Sequence, residues 1–204
     1  LIQSGYIEEA ASWRDWLLRA VAGRGAELNI MYGVAGERRL PELELRWLPG
    51  YESSRPVRIG NGAYRQFQLD VFGEVIDSLH LARRYGMDPS PHAWRVEREL
   101  MACLEDVWRE PDEGIWEVRG PRRHFTHSKV MSWVAFDRAV RMHDEFGLEG
   151  KVDRWRELRD EILGAALPED GRRPVERLVG AVGDVELSRA AVGVAVVRGE
   201  REPA

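Results

Sequence analysis

Between residues 6 and 22 the apolar positions Ile7, Ala10, Ala11, Trp13, Leu17 and Val21 mostly recur at three- and four-residue spacing, with charged residues between them. That spacing predicts an amphipathic helix, closed by Gly23 and Gly25. The pattern then breaks. Residues 26–60 carry Gly33, Gly36, Pro41, Pro49, Gly50 and Pro56 and only short apolar runs such as Leu28-Asn29-Ile30-Met31-Tyr32. They read as a long structured loop with small strand pieces. An irregular stretch of this length between strong helices is uncommon in a compact domain, and when ordered it commonly serves a binding site.

Helical spacing returns over residues 62–85, where Phe67, Val71, Val75 and Leu79 are joined by Leu69, Phe72, Ile76 and Ala82 on other faces. A helix apolar almost all round belongs on the inside. Ser90-Pro91 supplies a cap and a first-turn proline for a third helix running to residue 108, with Trp94, Val96, Leu100, Met101, Leu104 and Val107 inward. A fourth helix over 126–146 is again apolar on most sides, through Val130, Met131, Trp133, Val134, Phe136, Val140 and Met142. The fifth, 151–163, has a single stripe of Val152, Trp155, Leu158 and Ile162 and should lie outside. Broadly buried and single-striped helices together predict hairpin pairs in a layered ring or bundle, with the chemistry in the loops. No repeat of 20–50 residues is visible, which argues against a solenoid.

Composition narrows the function classes. The 204 residues can bury one sizeable core, and 44% hydrophobic with 32% charged residues is ordinary for a globular chain. The net charge of −5, with both signs interspersed, leaves no basic stripe for nucleic acid. No apolar run is long enough for a membrane span, and no targeting signal precedes the first helix. The single cysteine, Cys103, excludes an internal disulfide and reads as a reduced, inert core thiol of a cytoplasmic protein. The first residue is not Met, so the chain is expected to begin mid-protein or to be a fragment. Eight tryptophans are a high load; aromatic faces stack on sugar rings, though most helical cores also use them.

The chemistry concentrates between the third and fourth helices, in residues 110–129. That segment is dense in ionisable groups, yet Ile115 and Trp116 flank the carboxylate of Glu117. A carboxyl held against an aromatic ring loses hydration of its anion and can stay protonated near neutral pH, as a general acid must. On residue types alone, a solvated turn glutamate is the competing reading.

Gly114-Ile115-Trp116-Glu117-Val118-Arg119-Gly120, followed by His124-Phe125-Thr126-His127-Ser128-Lys129-Val130-Met131, resembles the general-acid loop of bacterial and archaeal members of glycoside hydrolase family 15. Tyr51-Glu52-Ser53-Ser54-Arg55-Pro56-Val57-Arg58-Ile59-Gly60-Asn61, with Gln68-Leu69-Asp70 and Gly73-Glu74 after it, resembles a second motif of that family in the same order. The likeness covers residues 5–163. It implies an all-α fold, an incomplete (α/α)6 toroid of the six-hairpin glycosidase type, with the active site at one end of the inner helices. It implies that Glu117 protonates the glycosidic oxygen, that Trp116 and Ile115 line the sugar pocket, that Arg55 hydrogen-bonds substrate hydroxyls and that Tyr51 supplies an aromatic wall. The implied reaction is single displacement with inversion, in which a second carboxylate about 6.5–9.5 Å away activates water; it needs no metal or cofactor.

The family's base lies in a downstream segment with a Cys-Ser-Phe-Trp-like tail, and its Trp-Leu-Arg-Asp segment precedes the first helix; neither occurs in this sequence. Val118 also stands where fungal members have a second Glu. The chain is thus expected to be an internal portion of a larger enzyme, inactive by itself. The expected substrates are maltooligosaccharide or starch ends, as in glucoamylase, with trehalose as the alternative. A non-catalytic toroid binding carbohydrate or protein is the reading from another class. Oligomeric state is left open.

Other constellations point elsewhere less well. His124 and His127, with Glu117 or Asp112, could be imagined as metal ligands, but Arg122, Arg123 and Lys129 would repel a cation. Asp70, Glu74 and Asp77 share one helical face and read as an exposed charged stripe. Gly60-Asn61-Gly62 lacks the Lys and Ser/Thr of a phosphate loop. Finally, residues 156–204 contain no aromatic residue, His, Cys, Met, Lys, Asn, Gln or Thr. Residues 1–163 therefore read as the partial catalytic domain and 164–204 as a divergent or frameshifted tail, which re-reading the coding DNA in the other frames would decide.

Overall fold

The helix with the broadest apolar surface takes the centre. The computed structural model describes residues 1–23, 28–87, 90–117 and 119–166. Five helices carry the fold: α1 (Ile7–Val21), α2 (Asp70–Arg84), α3 (Pro91–Val107), α4 (Thr126–Phe146) and α5 (Val152–Ala166). In α4, residues 128–140 are buried without interruption, so every face of that stretch has a neighbour. α2 covers one side and α5 the other. The α4–α5 hairpin turns on Gly147, whose φ of 68° is a conformation that favours glycine. α5 buries only Trp155, Leu158 and Ile162, the single stripe expected of an outer helix.

α3 begins as its sequence predicts: the Ser90 hydroxyl accepts from the His92 N–H and Pro91 fills the first turn. It joins the core through Leu100, Met101 and Leu104, each at most 1% exposed. Burying such side chains stabilises the fold by about 1.5–3 kcal/mol each. Arg83 of α2 donates from both terminal nitrogens to the two oxygens of Glu97 on α3, a fully buried fork. The same guanidinium lies over Trp94, whose ring meets Trp155 of α5 edge to face at 5.9 Å. One polar pair thereby fixes the approach of three helices. Cys103 packs partly buried against this core, and burial, with Asp106 nearby, pushes its thiol pKa up.

The segment after α1 is largely irregular, as expected, and its strand pieces are two residues each: β1 (Leu43–Glu44) pairs antiparallel with β2 (Arg58–Ile59), Leu43 opposite Ile59. Its ordering comes from side chains. Arg38 donates to the Ala20 and Ala22 carbonyls at the end of α1, and Trp16 donates to the Val34 carbonyl at 2.8 Å.

Two sequence expectations need correction. The second helix starts at Asp70, not at residue 62; residues 62–65 form a separate 3-10 turn and Gln66 is extended. The cause is tertiary, because the loop after α3 takes the amides that a longer helix would use: Phe67 N–H donates to Glu113 and Leu69 N–H to Asp112. The fifth helix runs to Ala166, past the expected stop at residue 163. Of the expected tail, 167–204 lie outside the described residues. Among the described residues no helix is long and apolar enough to cross a membrane.

Candidate active site

The loop that carries Glu117 is cross-linked at its neck. Asp112 and Arg123 form a two-way antiparallel bridge, N–H to carbonyl at 2.9 and 2.8 Å, which closes the neck of the loop. The Asp112 side chain is 1% exposed, and its Oδ2 accepts from the Leu69 N–H at 2.9 Å and the Ser128 hydroxyl at 2.7 Å. It thus joins the starts of α2 and α4. Glu113 adds a second clamp: its carboxylate accepts from the Phe67 N–H at 2.8 Å and pairs with Arg122 at 3.1 Å. Lys129, on the first turn of α4, donates to the Trp108 and Glu110 carbonyls that close α3. Gly114 has φ 69°, and a Cβ there would lie 2.7 Å from the Phe125 ring, so no side chain fits at the point where the loop leaves the neck.

At the tip, Glu117 is exposed and its φ of 50° is left-handed. A residue with a Cβ costs about 1 kcal/mol in that region, which the neck must hold in place. The Glu117 Oε2 accepts from Asn61 Nδ2 at 3.4 Å, across 56 residues of sequence. The second oxygen has no protein donor among the described residues. Arg119 reaches back from the same loop to Glu42 at 3.5 Å, and Glu42 also pairs with Arg58 at 3.4 Å and accepts from the Gly62 N–H at 3.3 Å. The long loop and the acid loop therefore meet edge to edge. A carboxyl with one oxygen held and the other open to solvent can pass a proton to a bound ligand.

The environment expected for Glu117 is corrected. Trp116 is 84% exposed and Ile115 44%, so neither shields the carboxyl from water within this chain. Tyr51 is 72% exposed, and Arg55, also exposed, makes no hydrogen bond to the acid loop among the described residues; the Arg55–Pro56 peptide is cis. All five predicted residues lie in the two loops that touch through Asn61 and Glu117, but among the described residues no side-chain hydrogen bond joins Tyr51, Arg55 or Trp116 to Glu117. Sequence reading passed over Asn61 as a false phosphate loop. Its signal was an Asn followed two residues later by a buried Ala: the Asn61 Oδ1 accepts the Ala63 N–H at 2.9 Å as an N-cap. Asp112, in the sequence only a conceivable metal ligand, is instead the buried acceptor that joins the starts of α2 and α4. Among the described residues no group of three or more His, Cys, Asp or Glu is arranged to hold a metal ion, and His124 and His127 are both exposed.

The acidic face of α2 is likewise not the exposed stripe its spacing predicts. α2 is an inner helix, so Asp70 is 5% exposed, and Asp77 pairs with Arg138 of α4 at 2.6 Å. Burial, helped by the negative charges of Asp70 and Asp77, pushes the Glu74 carboxyl up to about 7. The folded state then holds a proton on Glu74 between about pH 4.5 and 7 that the unfolded state has lost, so this group's contribution to stability falls as pH rises through that window. Glu74→Gln should leave stability unchanged below about pH 4.5 and raise it by about 1–2 kcal/mol above pH 7, the full linkage being reduced by partial exposure. Urea melts of both proteins at the two ends of the window check this; a gain that does not grow with pH would refute it.

The sequence model of the glycosyl hydrolases family 15 matches residues 1–175. A trehalase of Mycobacterium tuberculosis is 47% identical over 135 residues, 66% of this chain and 20% of the relative. A trehalase of Mycolicibacterium smegmatis is 45% identical over 145 residues, 71% of this chain and 22% of the relative. A trehalase of Thermoplasma acidophilum is 36% identical over 158 residues, 78% of this chain and 27% of the relative. The chain thus spans 20–27% of the length of these curated relatives. No solved structure matches it significantly. Between 66% and 78% of the chain thus aligns with these named trehalases, and the family's sequence model runs through all five helices. The chain belongs to glycoside hydrolase family 15, and its helices form part of that family's (α/α)6 toroid.

Proposed function

We propose that this chain is the acid-bearing segment of an enzyme that hydrolyses trehalose with inversion, and that Glu117 is its general acid. The observation that carries the reading is the Glu117 carboxyl, presented at the tip of a loop whose neck is locked by Asp112 and Glu113. The relatives move the substrate from maltooligosaccharide ends, the main expectation of the sequence, to trehalose, because those described above are trehalases.

In this mechanism Glu117 delivers its proton to the glycosidic oxygen as the bond to the anomeric carbon breaks. Water attacks from the opposite face and loses a proton to a second carboxylate, about 6.5–9.5 Å from the first. The products are two glucose molecules, one released as the β-anomer. Trp116, Ile115, Tyr51 and Arg55, exposed on the two loops that meet at Asn61 and Glu117, serve as contacts to the sugar, and no cofactor or metal takes part. No segment of the family's base type occurs in the sequence, so the 204-residue chain alone should release no glucose. Residues 1–163 are then catalytic-domain sequence and 164–204 a divergent or frameshifted tail.

The test is glucose release from trehalose and maltose side by side, using protein expressed from the complete coding sequence. Faster release from trehalose is expected. Faster release from maltose would return the substrate to the glucoamylase type, and release from neither would sink the hydrolase reading.

A further inference from the structure

We propose that Asn61 is a positioning residue for the Glu117 carboxyl: its side-chain amide holds one carboxyl oxygen so that the other faces the ligand. This goes beyond Glu117 as acid and rests on that reading for its catalytic meaning. The geometry is direct, since Asn61 Nδ2 lies 3.4 Å from Glu117 Oε2. Two features make the contact more than a chance neighbour.

First, the amide can point only one way. Its Oδ1 accepts the Ala63 N–H at 2.9 Å, capping the 3-10 turn of Gly62–Arg65, so the NH2 end must face the acid loop. Second, the backbone that carries Asn61 is fixed. Its N–H donates to the Leu40 carbonyl at 2.9 Å, and Gly60 before it, at φ 73°, packs its Cα onto the Pro41 carbonyl with no room for a Cβ. Glu117 itself is set in a left-handed conformation by the cross-linked neck. Donor and acceptor therefore sit on two separately braced loops, the arrangement that limits the rotation of a carboxyl on a two-carbon stem.

The contact is to the carboxyl that gives up the proton, so it bears on the step in which the leaving group is protonated. The charged groups at this meeting of loops are Arg119 beside Glu117, Glu42, which pairs with Arg119, and Arg58, which pairs with Glu42. Neither Asn61 variant below alters them.

The test uses two variants: Asn61→Ala removes the amide donor, and Asn61→Asp keeps an oxygen for the Ala63 cap but turns the donor into a second carboxylate oxygen. Trehalose turnover that neither variant lowers overturns the inference. In the full-length protein, Asn61→Ala should lower turnover on trehalose while sparing α-glucosyl fluoride, whose leaving group departs without a proton. An equal loss on both substrates would assign Asn61 a merely structural role. The acid reading is judged separately, because it fails only if Glu117→Gln retains trehalose turnover.

Discussion

Glu117→Gln in the full-length protein is expected to lower turnover on trehalose by about 10²- to 10⁴-fold while leaving the affinity for sugar nearly unchanged. The amide matches the carboxyl in size and can still meet Asn61, so the loop has no reason to move. What it cannot do is release a proton to a departing oxygen. The cost should therefore fall on the chemical step and depend on the leaving group. Trehalose leaves as an alkoxide that needs protonation, whereas α-glucosyl fluoride does not, so the variant should keep most of its activity on the fluoride. Equal losses on the two substrates would mean that the substitution disturbs binding or folding, and unchanged trehalose turnover would remove Glu117 from the mechanism.

The second large effect is on stability. Gly73 lies in α2 where that helix crosses α4, and a Cβ there would fall on the Met131 carbonyl oxygen, with the Met131 carbonyl carbon only 2.8 Å away. The obstacle is helix backbone, which cannot swing aside as a side-chain tip can. Gly73→Ala gains about 1 kcal/mol of helix propensity but forces the two inner helices apart, and the net loss should be about 2–4 kcal/mol. For a chain of this size that lowers the melting temperature by about 5–12 °C. Circular-dichroism melts decide it: a variant more stable than the parent would show that propensity, not close approach, governs the site. Because the residues that grip the loop's neck are Leu69, the N-cap of α2, and Ser128 of α4, loosening this crossing should loosen the loop as well.

The helices were legible because each buries a face wide enough to print a period on the sequence. The α4 range of Thr126–Phe146 follows from the apolar run and Gly147 alone, and α3 follows from Ser90-Pro91 and its apolar stripe. The motif around Glu117 pointed to the family, and that assignment agrees with the match over residues 1–175. The start of α2 was not legible, since the groups that end the preceding extended segment, Asp112 and Glu113, lie more than forty residues away. The acidic face of α2 was misread for a related reason. Spacing shows that Asp70, Glu74 and Asp77 share a side of the helix but not which neighbour covers that side.

By itself, then, the sequence determined which segments are helical, which helix lies inside and which family the chain belongs to. These are local or statistical properties, written in periodicity and in short runs of residues. Only the tertiary structure decided that Asp112 locks the acid loop, that Asn61 meets Glu117, that Trp116 faces solvent and that Gly73 must lack a side chain. Each of those depends on the distance between groups far apart in the chain, and that distance is set by how α2, α3 and α4 pack, a quantity no local pattern encodes.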